Sequence, residues 1–146
     1  PDTEKGLSRI VASMKEVAVQ AEQRGVQMVM EPINHLQVGF NNSVGEVRQL
    51  VHDVGSPALK PMVDTIHMNI EDKSITQPIF DCGDDLVHVH LCESNGGPFG
   101  GGHIDFAATL DALNQISYDG YASVKIYRKA SMAEAARSSI EYLRRL

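Results

Sequence analysis

Val63-Asp64-Thr65-Ile66-His67-Met68-Asn69 decides the fold of this 146-residue chain. It begins where an apolar run, 59–63, comes to its end, broken only by Lys60 and Pro61. Short apolar runs of this kind read as buried strands. A carboxylate and an imidazole then stand three residues apart, just where the run gives way to polar chain. In α/β proteins ligands gather at the carboxyl ends of such strands. Asp and His are also ordinary protein ligands of a divalent cation. An Asp that merely caps the following turn is the plainer reading, and both stay open here.

The same event recurs along the chain. The run 26–30 ends in Glu31-Pro32, the run 86–91 ends in Cys92-Glu93-Ser94-Asn95, and the run 121–127 ends near Arg128. Glu31, Asp64 and His90 therefore sit at or near the carboxyl ends of three separate runs. A parallel sheet would bring them to one edge.

Between the runs the spacing is helical. Leu7, Ile10, Val11, Met14, Val17, Ala18 and Ala21 predict an amphipathic helix of about five turns, ended by Arg24-Gly25. A strand is predicted over 26–31. Ser43-Val44-Gly45-Glu46 fits a capping box, with Val47, Leu50 and Val51 as the apolar face behind it. Further strands are predicted over 59–64, 86–91 and 121–127, and a short helix over 74–80. Residues 95–102 hold five of the chain's 12 glycines, which marks a loop. It lacks the Lys-Ser/Thr of a phosphate loop, so a lid or a plain connection is expected. Phe106, Leu110, Leu113 and Ile116 face inward from the next helix. The last helix, 131–146, should bury Met132, Ala135, Ala136, Ile140 and Leu143.

One helix followed by four strand–helix units implies an α/β fold with a parallel sheet and right-handed crossovers. A doubly wound sheet and half of an eight-stranded barrel both satisfy that order. Polar residues at successive strand ends favour the barrel, in which all strands deliver to one mouth. Residues 1–146 are expected to form a single domain, since no repeat or linker divides them.

Composition excludes some classes. Net charge of −6 argues against a nucleic-acid partner, which calls for clustered Lys and Arg. No run approaches the ~18 apolar residues of a membrane span. Only Cys82 and Cys92 are present, without metal-type spacing, so a reducing, cytoplasmic setting is expected. His88 and His90 alternate and so share one side of their strand. His88 is read as a core histidine.

Several stretches together carry a resemblance. They are Met30-Glu31-Pro32-Ile33-Asn34, Val63-Asp64-Thr65-Ile66-His67-Met68-Asn69-Ile70-Glu71 and His88-Val89-His90-Leu91-Cys92-Glu93-Ser94-Asn95. Gly100-Gly101-Gly102-His103-Ile104-Asp105-Phe106 and Tyr118-Asp119-Gly120-Tyr121 add to them. In that order they resemble the sugar phosphate isomerase/epimerase family, with its xylose-isomerase-like TIM barrels. Within it the ketose 3-epimerases of the tagatose and psicose type are the nearest subgroup. The similarity covers essentially the whole chain but only the second half of the family's (β/α)8 barrel.

The resemblance implies an isomerase of carbohydrate metabolism that abstracts a proton next to a carbonyl on a small sugar or polyol. It implies a divalent metal, manganese first, with magnesium, cobalt or zinc as alternatives. Carried over, the ligand positions are Glu31, Asp64, His90 and Lys125, and His67 and Glu93 match positions near substrate. Lys125 departs from the family, which has Glu there, and residues 121–128 contain no carboxylate. A second departure is Gly96, where the epimerases have Arg.

These departures matter chemically. Epimerisation removes a proton from one face of a carbon and delivers one to the other. A metal polarises the ketose oxygens. Here Glu31 is kept as the base, and its partner, Lys125, is an amine. An ammonium beside a divalent ion would be repelled by roughly several kcal/mol. Lys125 could be neutral, with its pKa lowered by the metal and by burial, or it could replace the metal by pairing with Glu31 and Asp64. Metal is therefore expected to be weak or absent.

Two classes stand: an epimerase, or a keto-polyol dehydratase or lyase on the same fold; and a degenerate, non-catalytic member that binds sugar or serves assembly. An apurinic endonuclease fits poorly with the acidic charge. Four strands cannot close a barrel, and a half-barrel would expose two edges and an apolar sheet face. A preceding segment of about four strand–helix units is expected, or a homo-oligomer. The start at Pro1 favours the former.

Overall fold

The computed structural model describes residues 3–127 and 131–146. Arg128, named above at the end of the fourth run, and Pro1 lie outside the described residues. The first helix, α1 (Thr3–Arg24), leads into β1 (Met28–Met30). It is followed by α2 (Val44–Val54), β2 (Leu59–Pro61) and β3 (Val63–Asp64). Two short helices, α3 (Thr65–Glu71) and α4 (Gln77–Cys82), come before β4 (His88–Cys92). The chain ends with α5 (Phe106–Gln115), β5 (Tyr121–Lys125) and α6 (Met132–Leu143). Every strand pair is parallel, as the alternation of strands and helices predicts.

Local chemistry explains the boundaries. The Ser43 side chain accepts from the Glu46 N–H, and the Glu46 carboxylate accepts from the Ser43 N–H, so the predicted capping box is complete. Gly55 follows α2 in the left-handed conformation, φ 71°, which costs a glycine little. The single strand predicted over 59–64 divides at Met62. Pro61 has no N–H for the ladder, and there the chain changes partner. Met62 N–H still returns to Met30 O at 3.1 Å, while Val63 and Asp64 pair with Val89 and His90. The helix over 65–71 was not predicted, because its first turn was read as strand end and ligand. The predicted helix over 74–80 begins later, at Gln77, with Pro78 in its first turn. Ser74 Oγ instead accepts from the N–H groups of Thr76 and Gln77.

The core lies between the sheet and its helices. Val63, Val89 and Leu91 are fully buried against Met68, Ile79, Phe106 and Leu113. A second cluster, Ala18, Leu50, Val54 and Leu59, joins α1 and α2 to β2. The other side of the sheet, expected to be an exposed apolar face, is largely polar. His88, His90, Ser123 and Lys125 occupy it, half-buried. Tyr121, opposite His88 and so on that same face, is 83% exposed; further apolar exposure falls at Val29 and Val124 and on the flanking helices at Val17, Val19, Met132 and Ile140. The predicted buried face of α6 is corrected accordingly. Met132 is 72% exposed, Ala136 is exposed, and Ser139 is buried in their place. Met132, Ala135 and Ala136 instead line an open depression with Val124, Ile126 and Tyr127 at the end of the edge strand β5.

Candidate functional site: a charged cluster at the strand ends

Register assembles the site. Asp64 is opposite His90 in the β3–β4 pair, and His90 is opposite Ser123 in the β4–β5 pair. Two residues further along β5, on the same face, comes Lys125. Glu31 follows β1 directly. Thr65 ties the ends of β3 and β4 together, its hydroxyl donating to Cys92 O at 2.6 Å and accepting from Cys92 N–H at 2.8 Å.

The side chains meet. Lys125 Nζ donates to Asp64 Oδ2 at 2.7 Å and to Glu31 Oε1 at 3.1 Å. His90 Nδ1 lies 3.1 Å from Glu31 Oε1 and 3.3 Å from Asp64 Oδ2. His67 Nε2 is 3.4 Å from Lys125 Nζ and 3.8–3.9 Å from the two carboxylates. Asp64 serves both readings offered for it: Oδ1 caps α3 by accepting from Ile66 N–H at 3.0 Å, and Oδ2 faces the cations.

Two carboxylates and two basic groups balance one another. Hydrogen bonds to Asp64 and Glu31 push His90 up to about 9, so it is an imidazolium at neutral pH. Burial pulls the Lys125 amine down, but its hydrogen bond to Asp64 and the two carboxylate charges outweigh that and hold it protonated. Of the two arrangements considered above, the pairing with Glu31 and Asp64 is the one the side chains adopt. Burial raises the Asp64 and Glu31 carboxyls; the bonds from His90 and Lys125 reverse this and leave both below their usual range.

His67 is different. It is 1% exposed, and burial lowers its pKa, so the ring is neutral. Asn34 Oδ1 accepts from Leu36 N–H at 3.1 Å, which orients the amide. Asn34 Nδ2 and backbone N–H then both point at His67 Nδ1, at 2.7 and 3.3 Å. Nδ1 is therefore the acceptor, and the ring proton sits on Nε2, facing the cluster. The 3.4 Å approach of Lys125 brings two donors together and is no hydrogen bond. In the sequence Asn34 enters only as the last residue of the stretch Met30-Glu31-Pro32-Ile33-Asn34, with no role of its own. Its partner lies 33 positions away, and no local pattern announces it.

Glu31, Asp64 and His67 offer ligand atoms that all lie within 4.8 Å of one another, a spacing that suits a metal ion. This set has His67 where the resemblance implied His90. The spacing fits an ion, but the contents do not. An ammonium stands among the three groups, and one of them turns an N–H toward it.

Glu93, expected near substrate, is 1% exposed and turned into the loop that it introduces. Its carboxylate accepts from the N–H groups of Ser94, Gly100 and Ile104 at 2.9–3.1 Å. Burial raises this carboxyl, and the three amides more than offset it. Gly102 packs so close that a Cβ there would lie 2.4 Å from Glu93 Oε1. The glycine-rich loop is thus wrapped around a buried carboxylate.

Comparison with known proteins gives the family. The family model of the xylose isomerase-like TIM barrel matches residues 1–146. A ketose 3-epimerase of Arthrobacter globiformis is 33% identical over 120 residues, 82% of this chain and 42% of that enzyme. A 3-dehydro-D-guloside 4-epimerase of Escherichia coli is 29% identical over 146 residues, 99% of this chain and 56% of that protein. The crystal structure of a D-allulose 3-epimerase from Methylomonas sp. superposes with a TM-score of 0.92 at 26% identity, covering 99% of this chain and 57% of that one. The chain spans about half the length of the relatives it matches. With the parallel sheet and the strand-end cluster, these likenesses leave one assignment: the chain belongs to the family of xylose isomerase-like TIM barrels.

Proposed function

We propose that this chain carries half of a sugar epimerase-like barrel, acting on a small ketose or polyol by moving a proton at the carbon next to its carbonyl. One observation carries the reading. Glu31, Asp64, His90 and Lys125 from the strands and His67 from the first turn of α3 converge at the carboxyl ends of the strands. The names of the relatives support it, since ketose 3-epimerisation and 3-dehydro-guloside 4-epimerisation both invert a carbon beside a carbonyl.

Glu31, a half-buried carboxylate, is suited to take the proton. The electron pair released moves onto the carbonyl oxygen, where the imidazolium of His90 can meet the developing charge. The Lys125 ammonium is suited to deliver a proton to the opposite face. After product leaves, the Glu31 acid returns a proton to the Lys125 amine across their 3.1 Å contact, which restores both groups. That contact leaves no space for a carbon between donor and acceptor, so substrate entry has to part them. The wall opposite the cluster is proposed to come from about four further strand–helix units, or from a second copy. Residues 1–146 are proposed to act as one domain within that assembly.

A second reading, sugar binding without turnover, is favoured by the double hydrogen bond on Glu31 Oε1 from His90 and Lys125, which weakens the base. Incubation with a panel of ketoses in D2O separates the two. Deuterium should enter at the carbon next to the carbonyl, and Glu31→Gln should abolish its entry. Saturable sugar binding with no exchange selects the second reading, and neither binding nor exchange defeats both.

A further inference from the structure

We infer that the Lys125 ammonium is the resident cation of this site, standing where a divalent ion would bind between Glu31, Asp64 and His67 and excluding it. The inference deepens the epimerase-like reading, and rests on it only in taking the cluster as the place where substrate is handled.

Position is the first argument. An ion bound to Glu31 Oε1 and Asp64 Oδ2 at the ~2.0–2.6 Å of carboxylate ligation would fall in the space of Nζ, which is 3.1 and 2.7 Å from those same atoms. Ligand chemistry is the second. His67 would have to present a bare Nε2, but its Nδ1 accepts from Asn34 and leaves the proton on Nε2. Ligation would require that buried bond to be broken.

The third argument is that the ammonium is well provided for. It has three N–H groups. Two go to Asp64 and Glu31, and the Tyr127 ring stands beside the ammonium, its centroid 5.4 Å from Nζ. Tyr127 in turn requires Gly96. Its N–H donates to Gly96 O at 2.9 Å, and a Cβ on residue 96 would lie 2.8 Å from the Tyr127 ring. Gly96 has φ 68°, which other residues rarely adopt. The two departures noted in the sequence, Lys125 and Gly96, are thus one arrangement. The glycine makes room for the aromatic wall against which the ammonium rests.

Calorimetric titration with Mn²⁺ tests the inference. The unmodified protein should show no saturable uptake below millimolar concentration. Lys125→Gln should bind roughly 10-fold more tightly, and Lys125→Glu about 100-fold, as a repelling charge is first removed and then reversed. Micromolar binding by the unmodified protein, no weaker than that of Lys125→Gln, overturns the inference. Where a variant fails to fold, the unmodified protein decides alone. Substoichiometric Mn²⁺ that broadens the His67 and His90 ring signals in NMR overturns it, and unchanged signals support it. Ketose exchange on the same preparation keeps the two proposals apart. Exchange that requires added Mn²⁺ overturns the resident cation and keeps the epimerase reading. Absence of both exchange and metal uptake removes the epimerase reading and supports the resident cation.

Discussion

Asp64 and Glu93 are both buried carboxylates at the ends of neighbouring strands, 0% and 1% exposed, and their partners could hardly differ more. Asp64 faces charge on Lys125 and His90, with the neutral ring of His67 further off. Glu93 faces dipoles: three backbone N–H groups and the Ser94 hydroxyl, all in or beside the loop it anchors. A buried carboxylate must be compensated in one way or the other. Compensation by side-chain cations leaves groups that can exchange partners when a ligand arrives. Compensation by amides fixes a loop and leaves nothing over. The first arrangement makes a site, and the second makes its support.

The sharpest way to break this comparison is to remove each carboxylate. Asp64→Ala strips the cap from α3 and leaves two cations facing Glu31 alone, and it should destabilise by on the order of 3 kcal/mol. Adding Lys125→Met should recover part of that loss, because the uncompensated charge goes with it. Glu93→Ala should cost about 2 kcal/mol by leaving amides unpaired, with faster hydrogen exchange at Gly100 and Ile104. Among the described residues no side-chain cation bonds Glu93, so none is there whose removal compensates. Urea unfolding of the single and double variants checks both. Equal rescue of Glu93→Ala by Lys125→Met would falsify the distinction.

The pH dependence sharpens it further. His90 has a folded pKa of about 9 against an ordinary 6.5. A raised pKa stabilises fully below the unfolded value and is lost as pH rises through the folded one. Stability should therefore decline between about pH 6.5 and 9. Asp64 and Glu31 have lowered values, so their contribution holds above their usual range and is lost as pH falls below it. His90→Phe should flatten the alkaline decline, read from thermal unfolding across pH. A decline that survives the substitution assigns it elsewhere.

Much of this was legible in the residues. Alternation predicts the parallel pairing of the strands, and the capping box marks the start of α2. Asp64, Glu31 and His90 share an edge because parallel strands that end in polar residues deliver them there. The parts that were not legible depend on long-range partners. Glu93 and Asp64 look alike in sequence, and only the return of the loop to Glu93 separates them. The tautomer of His67 is set by Asn34, on a different loop. The apolar stripe of α6 was read as buried because periodicity says that a face wants cover, and it cannot say where the cover comes from. Met62 marks another limit: the strand 59–64 is continuous in sequence, and its change of partner after Pro61 appears only in the sheet.

The smallest expected effect links the two regions. Gly96 belongs to the loop of Glu93 but touches Tyr127, which rests beside Lys125. Gly96→Ala puts a Cβ at φ 68° and within 2.8 Å of the Tyr127 ring, at a cost of about 1 kcal/mol from the backbone conformation. If loop and cluster are separate devices, that cost is all that appears, and Lys125 keeps its partners. If Tyr127 is the wall that holds the ammonium, the ring must move and Lys125 loosens. The ¹⁵N shift of the Lys125 ammonium and its proton exchange rate then change, although residue 96 touches neither carboxylate. NMR of the Lys125 side chain with and without the substitution distinguishes these outcomes. An unchanged ammonium signal beside a destabilised loop confines Gly96 to the support and leaves Tyr127 without a role in holding the cation.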